Sequence, residues 1–369
     1  MHNPNVFDLE AMSAAAITSP QASEPPESTR PVPVVDPKLG LLRKPDVNAY
    51  SALLKAVRDG RSVLFLGAGP SSPLYGTWDD IVEDLLDQAR LVPLPGETVF
   101  RTVDRCQQRL RPKGYADVLL GRFGRKPAGA PGTVYSLLVQ ADFDAFVTTN
   151  FDCCLDYAGD DQGGITGTVY SYPDDFSVAN IGHRCIFHIH GRIVPGNTNA
   201  DSMRVVLSES DYRQAYEERS ELRVLISELL CHSDRTVVFY GTGFRDHTLL
   251  FDSIRHGHEQ LRKTIAMLRE DGRDARPRTH YAFISVPAFP PGSQHGLAYW
   301  QESVDARLTE IDSILRQYRP EIEVVPILYA DPNPGEPDMR HYFLTEILRD
   351  MKRVAPYQGG APVAKQGTG

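Results

Sequence analysis

Four short apolar runs constrain the fold of this chain most strongly, because each has the continuity of a strand buried on both faces of a sheet. They cover Ser62–Leu66, 145–147, 186–187 and Thr236–Tyr240. Helical patterns separate them, and the alternation continues with apolar runs at 281–286 and 322–328. The sequence therefore predicts an α/β fold, a Rossmann-like doubly wound parallel sheet flanked by helices.

One folded domain is predicted between two irregular ends. Residues 1–46 are rich in Pro, Ser, Ala and Glu without a helical or strand period, so we expect a disordered N-terminal arm there. The domain is expected over 47–353, with a helical insertion at about 91–140 and a further helical segment at about 208–232. Residues 354–369 are expected to form a flexible tail.

Local signals within this domain predict helix starts and one further strand. Thr77 and Ser208 have the residue type and position of helix N-caps. The apolar residues 205–207 are interpreted as a short strand ahead of the Ser208 helix. Tyr212 and Tyr216 on that helix are interpreted as ordinary packing.

Charge and cysteine content exclude several classes of function. The formal net charge of -9 gives no bulk basic footprint, so direct nucleic-acid binding is not indicated. The five cysteines include no C-x-x-C pair, which argues against a disulfide scaffold and against a tetrathiolate zinc module. No apolar stretch approaches the roughly 20 residues of a membrane span. We expect a cytoplasmic protein that binds neither membrane nor zinc.

The run at 145–147 ends in a polar cluster. Thr148, Thr149 and Asn150 follow directly, and Asp152 comes shortly after. Each buried polar group without a partner costs about 1 to 3 kcal/mol, whereas ligands of open α/β sheets bind at the carboxyl ends of the strands. The cluster therefore indicates a ligand site. The alternative is that Asp152 caps a helix beginning near Cys153.

The run at 186–187 leads into His188, His190 and Gly191. Alternation along a strand would direct both imidazoles to one face. Zinc binding is not expected, because no Cys, Asp or Glu lies nearby at ligand spacing, and a core histidine donating to a backbone carbonyl is the alternative. Gly191 would let a ligand approach the strand end closely. An Asn and a His at two strand ends together suggest chemistry on a nucleotide.

Two glycine-rich turns follow the other buried runs. Gly67-Ala68-Gly69-Pro70-Ser71 could cradle a pyrophosphate, although a tight strand-to-helix turn needs the same glycines and the full G-x-G-x-x-G pattern is absent. The second turn is Gly241-Thr242-Gly243, followed by Asp246. Thr242 and Asp246 could bond ribose or adenine, and the alternative is a helix N-terminus capped by Asp246.

Taken in order, these segments resemble the sirtuin-like family, in particular its branch of bacterial NAD-consuming domains of antiviral defence. The resemblance is carried by VLFLGAGPS, FVTTNFD, IFHIHGRIV and VVFYGTGFRDHTLL, and it covers roughly residues 47–353.

The resemblance implies a role for each matching position. Asn150 would orient water or the ribose hydroxyls, and His190 would be the general base. Asp152 would shape the nicotinamide pocket, and Thr149 would touch ribose. The remaining positions would also bind the cofactor. The phosphate-binding turn would consist of Gly67, Ala68, Gly69 and Ser71, and the adenosine would be bound by Gly241, Thr242, Gly243 and Asp246. Gly191 would let the cofactor approach the end of its strand.

Departures from the protein-deacylating sirtuins point to hydrolysis. Their four-cysteine zinc module and longer cofactor loop have no counterpart here. Water then becomes the acceptor, and we expect an NAD+ glycohydrolase that releases nicotinamide and ADP-ribose, with a base of near-neutral pKa. The alternatives are a deacylase or ADP-ribosyltransferase, and an NAD-binding or ADP-ribose-binding regulatory subunit without turnover.

The resemblance also implies how such an activity would be controlled. It suggests a toxic antiviral effector that is switched on by assembly or by a partner. A homo-oligomer and a ring-forming ATPase are the expected partners.

Overall fold

The computed structural model describes residues 44–59, 61–124, 126, 130–162, 165, 167–174, 176–182, 184–197, 199, 203–218, 221–232, 234–242, 267, 278–287, 297–316, 322–331 and 351. All of them belong to a unit that spans Val34–Gly369. Most of the predicted arm and the whole predicted tail lie outside the described residues. The first helix begins at Lys44, slightly ahead of the domain start expected from the sequence.

Seven parallel strands form one sheet in the described part of the chain, which confirms the predicted α/β class. In chain order they are β1 Ser62–Leu66, β2 Ala145–Thr148, β3 Val169–Ser171, β4 Cys185–His188, β5 Thr236–Tyr240, β6 Arg278–Pro287 and β7 Ile322–Asp331. Their order across the sheet is β3-β4-β2-β1-β5-β6-β7, and every pairing is parallel. Strands β1, β2 and β4 are buried along their whole length, as expected for strands covered on both faces.

Helices lie before and between several of these strands in the described part of the chain. They are α1 Lys44–Arg58, α2 Ser72–Tyr75, α3 Trp78–Ala89, α4 Val99–Phe123, α5 Ala130–Gln140, α6 Cys154–Gln162, α7 Glu209–Arg213, α8 Glu221–Ser227 and α9 Leu297–Leu315. Two π-helical segments, Gln214–Glu218 and Glu228–His232, follow α7 and α8. A short 3₁₀ turn covers Val178–Asn180.

Both predicted N-caps are confirmed. The Thr77 side chain accepts a hydrogen bond from the Asp80 amide at the start of α3, and Asp80 in turn binds the Thr77 amide. Ser208 and Asp211 form the same reciprocal pair at the start of α7. Each pair satisfies two amides that a helix start would otherwise leave without partners.

The predicted helical insertion contains α4 and α5, and α4 is kinked. Arg111 has a φ of 59° just before Pro112, so the helical geometry is broken there. A proline disfavours helical geometry in the residue before it, which accounts for the break. The first half of α4 lies against α7, and Arg101 forms an ion pair with Glu209 at 2.7 Å.

The predicted strand at 205–207 is wrong. These residues are buried but adopt no regular structure. The Val206 amide donates one hydrogen bond to the His190 carbonyl at 2.9 Å, where a strand would have a ladder. The turn at Gly191 explains the difference, because it folds the chain after β4 and brings Arg204 and Val205 against Gly191.

The N-terminal helix is tied to the last strand. Asp46 in α1 is fully buried, and its carboxylate accepts a hydrogen bond from the Leu328 amide in β7 at 3.2 Å. Among the residues described, no helix combines the length and the apolar character that crossing a membrane requires.

Candidate functional site

The carboxyl ends of four adjacent strands bring the predicted segments together. Leu66, the last residue of β1, is in register with Thr148 of β2 on one side and with Tyr240 of β5 on the other. Thr148 is in turn opposite His188, the last residue of β4. The residues that follow these strands therefore emerge at one edge of the sheet. This is the edge at which open α/β sheets bind ligands.

Backbone and hydroxyl contacts fix Asn150 just beyond β2. Its amide N–H donates to Thr148 Oγ1 at 3.0 Å, and the Thr148 hydroxyl donates to the Leu66 carbonyl at 3.0 Å. The side-chain Nδ2 donates to the Gly67 carbonyl at 3.1 Å. A carbonyl oxygen only accepts, so this contact determines which end of the Asn150 amide faces β1.

Two hydroxyl groups also lie against the Asn150 amide nitrogen. Ser71 Oγ and the Tyr135 hydroxyl are each 3.4 Å from Nδ2. The opposite end of the amide is different, because Oδ1 is buried and has no hydrogen-bond partner among the described residues. Only 6% of Asn150 is exposed, so this acceptor is costly unless a ligand or water donates to it.

His190 is buried against two tyrosines. Only 2% of the residue is exposed, and its Nε2 lies 2.8 Å from the Tyr216 hydroxyl. The Tyr212 ring meets the imidazole edge-on, with the ring centroids 5.3 Å apart. Burial lowers the pKa of His190 to about 3, below the near-neutral value expected from the sequence. The imidazole is therefore neutral at pH 7 and has a lone pair that can accept a proton.

His188 and His190 do not share one environment, although alternation along a strand predicts that they face the same side. β4 ends at His188, and the chain turns before His190. His188 Nε2 lies 2.8 Å from an Asp156 carboxylate oxygen, and Nδ1 lies 3.3 Å from the Asn150 carbonyl. His188 thus links α6 to the backbone of the candidate catalytic Asn.

Asp156 joins His188 to Arg192 in a partly buried polar group. Its second carboxylate oxygen forms an ion pair with Arg192. Burial alone would raise the pKa of Asp156, but the hydrogen bond to His188 and the charges of His188 and Arg192 outweigh it and lower that pKa. Among the described residues, no group of three or more His, Cys, Asp or Glu side chains could hold a metal ion.

The Gly67 turn packs directly against the Gly241 turn. The Gly67 amide donates to the Tyr240 carbonyl at 2.9 Å, and the Gly69 amide donates to the Gly241 carbonyl at 3.0 Å. A Cβ on Gly67 would lie 2.4 Å from the Gly241 oxygen, and Gly241 itself has a φ of +64°. These glycines are thus required for close approach of two strand ends. In this structure the Gly67 and Gly69 N–H groups bind backbone rather than pointing towards a phosphate.

Other predicted positions divide between the site and local structure. Thr149 is half-buried, and its amide donates to the Leu66 carbonyl at 3.3 Å. Asp152 is buried and accepts a hydrogen bond from the Cys154 amide at 3.0 Å, which is the helix-capping contact considered as its alternative. Ser71 is buried, whereas Ala68 is exposed.

The last predicted positions lie in turns. Gly191 has a φ of +85°, and a Cβ there would lie 2.1 Å from the Arg204 carbonyl, so only glycine fits this turn. Thr242 is half-buried. Gly243 and Asp246 lie outside the described residues.

Three tyrosines at the site were not identified from the sequence. Tyr135 lies in the predicted insertion, where nothing distinguishes it from a core residue. Tyr212 and Tyr216 are four residues apart on a capped helix, a spacing that places them on one face. The spacing alone did not indicate that these two tyrosines contact His190, which follows β4.

Comparison with known families gives one match. Residues 144–304 match the family model described as SIR2-like domain. This range begins just before β2 and includes Asn150, His190 and β5. No curated protein matches the chain.

Proposed function

We propose, from the match of residues 144–304 to the SIR2-like domain model, a class of domain that uses NAD, that this chain is an NAD+ glycohydrolase. The reaction consumes one water molecule. The bond between nicotinamide and the ribose C1′ breaks, water adds its oxygen to C1′, and one proton is released with nicotinamide and ADP-ribose.

The observation that carries the proposal is the buried Oδ1 of Asn150, which lacks a partner among the described residues. A ribose hydroxyl or the attacking water would supply the missing donor. The other end of the amide is held by the Gly67 carbonyl, so the acceptor is already oriented before a ligand binds. Such an arrangement favours the reacting state without further rearrangement of the side chain.

Neutral His190 is the proposed proton acceptor. Water becomes a better nucleophile as it loses a proton, and general bases typically contribute about 10² to 10⁴ in rate. Burial lowers the pKa of His190 and keeps its lone pair free at neutral pH. A general base works best when its pKa lies near the operating pH, so the proposed role requires the pKa of His190 to rise when the substrate binds beside it.

The absence of a cysteine-based zinc module in the sequence favours water over a protein acceptor. We further propose that the activity is a toxic cytoplasmic effector function in bacterial antiviral defence. Activation by self-assembly or by a partner such as a ring-forming ATPase belongs to the same proposal. This part rests on the resemblance of the four strand-end segments to defence-type NAD-consuming domains.

The test is to incubate the purified full chain with NAD+ and to quantify nicotinamide and ADP-ribose by mass spectrometry. Asn150→Ala and His190→Ala are expected to lower the rate at least 100-fold, and Asn180→Ala, in the half-buried end of the 3₁₀ turn Val178–Asn180, serves as the matched control. Thermal unfolding of each variant shows whether it is folded.

Each result separates the proposal from an alternative. Full activity in both folded site variants refutes the assigned roles. ADP-ribose attached to lysate protein, in place of free ADP-ribose, supports the transferase alternative. NAD-dependent thermal stabilisation without any product, in the presence of candidate partners, supports a binding subunit instead.

A further inference from the structure

The contact between His190 and Tyr216 gives the base a defined orientation. The two side chains are joined at 2.8 Å between imidazole Nε2 and the phenol oxygen, and both residues are buried. No other hydrogen bond to the imidazole is seen within the described part of the chain. One ring nitrogen is therefore held by the protein, and Nδ1 has no hydrogen bond within that part of the chain.

Tyr216 is itself held firmly. It lies in the π-helical segment Gln214–Glu218, directly after α7, and the start of α7 is fixed by the Ser208 capping box. The rings of Tyr212 and Tyr216 stack with an interplanar angle of 26° and a centroid distance of 6.1 Å. This stacking restricts where the Tyr216 hydroxyl can point.

Contacts from α4 support the same helix from outside. Gln107 donates to the Asp211 carboxylate at 2.9 Å, and Phe100 meets the Tyr212 ring edge-on at a centroid distance of 4.9 Å. Together with the ion pair between Arg101 and Glu209, they join α4 to α7. The position of the Tyr216 hydroxyl therefore depends on packing of the helical insertion as well as on its own helix.

The chemistry of a neutral imidazole explains why this contact matters. One ring nitrogen carries a proton and the other carries a lone pair, and the hydrogen bond made by one nitrogen determines the role of the other. A phenol oxygen can accept a hydrogen bond from an Nε2–H group. In that arrangement the lone pair resides on Nδ1, and His190 is ready to take a proton there.

We propose that Tyr216 is the positioning residue for His190, accepting a hydrogen bond from Nε2–H so that Nδ1 is the basic atom. The inference rests on the proposed function for its catalytic readout. It assigns to a tyrosine the orienting role that a carboxylate has in Ser-His-Asp triads.

Two measurements test the proposal on the full chain, using Tyr216→Phe and the control Tyr170→Phe. The control makes the same chemical change on a ring that stacks against Phe187 at the sheet edge. The first measurement is NMR of 15N-histidine-labelled protein at pH 7, with His190→Gln used to assign the signal. A hydrogen-bonded Nε2–H correlation is expected for His190 in the wild type and in the control, and its loss or shift is expected in Tyr216→Phe.

The second measurement is steady-state nicotinamide release. Tyr216→Phe is expected to lower kcat roughly three- to tenfold, the range of a single neutral hydrogen bond, with KM changed less than about twofold. An unchanged His190 signal in Tyr216→Phe overturns the proposal, and so does an unchanged kcat or a loss confined to KM.

The NMR result does not depend on turnover. Wild-type protein that releases no nicotinamide refutes the proposed hydrolase, whereas the His190 signal still shows whether Tyr216 holds the imidazole. If the wild type releases nicotinamide and Tyr216→Phe has the same His190 signal and the same kcat, only the positioning role of Tyr216 is refuted.

Discussion

Replacing Gly67 by alanine is expected to destabilise the protein because two backbone segments meet at this position. The added Cβ would lie 2.4 Å from the Gly241 oxygen and 2.8 Å from the Thr242 Cα. Favourable contacts between carbon atoms lie near about 3.5 Å, so the two turns would have to move apart by about 1 Å. Neither neighbour is the flexible end of a side chain, so the strain cannot be relieved by a change of rotamer.

The cost of this movement has two parts. Overpacking in a close-packed region costs about 1 to 3 kcal/mol. The hydrogen bonds from the Gly67 and Gly69 amides to Tyr240 and Gly241 would also lengthen, and each contributes about 1 kcal/mol. We therefore expect Gly67→Ala to lower the free energy of unfolding by about 3 to 5 kcal/mol, a large part of the 5 to 15 kcal/mol of a typical domain.

The assay is urea unfolding followed by far-UV circular dichroism, with Gly121→Ala as the matched control. Gly121 lies exposed in α4, and nothing lies within 4 Å of an added Cβ there. This control is expected to raise the free energy of unfolding by about 0.5 to 1 kcal/mol, because alanine favours the helix. The midpoint for Gly67→Ala should fall while the slope stays constant.

The same pair of variants separates two interpretations of the Gly67 turn. If Gly67→Ala is as stable as the wild type, the reasoning from close backbone approach is refuted. A loss confined to NAD binding would then favour the phosphate-cradle interpretation made from the sequence.

Three further outcomes are expected. Asp156→Asn should lower the free energy of unfolding at pH 7 by about 1 to 3 kcal/mol, because His188 and Arg192 lose a partly buried carboxylate that binds both of them. The pKa of Asp156 is lowered in the folded state, so the ionised carboxylate stabilises the fold above the ordinary carboxyl pKa, and this stabilisation is lost as the pH falls through the folded pKa. The free energy of unfolding of the Asn variant should therefore decline less than that of the wild type below about pH 4. Identical pH profiles of the two proteins would contradict this. Thr77→Ala should cost about 1 kcal/mol in the same urea assay through loss of the α3 cap, and an unchanged midpoint would argue against the cap. All five cysteines are buried, and burial raises the pKa of Cys153 to about 12, so a thiol reagent at pH 8 should label none of them before denaturant is added.

The sequence was sufficient for the features that depend on short segments. Continuous apolar runs predicted the buried parallel strands, whose carboxyl ends lie at one edge of the sheet. The catalytic roles of the residues that follow them stay predictions. Thr77 and Ser208 were identified because capping depends on residues only three apart. Asn150 and His190 could be selected because polar groups after buried strands are costly without a ligand.

Other features depend on contacts between distant segments and could not be read from periodicity. The interaction of Tyr216 with His190 is one case, because it requires the path of the chain after Gly191. The hydrogen bond between Asp156 and His188 is another, since it joins a helix to a strand formed later in the chain. The 205–207 segment was predicted to be a strand because it is apolar, and in the structure it is buried with one hydrogen bond in place of a ladder.

The central place of β1 has a consequence for how this protein is made. β1 is an early strand in the chain, but its two neighbours in the sheet are β2 and β5. The middle of the sheet therefore cannot close until Tyr240 has left the ribosome, and the nascent chain carries an incomplete sheet with exposed strand edges during that time. A fragment limited to residues 144–304 would lack β1 altogether, so we expect it to remain unfolded or to aggregate.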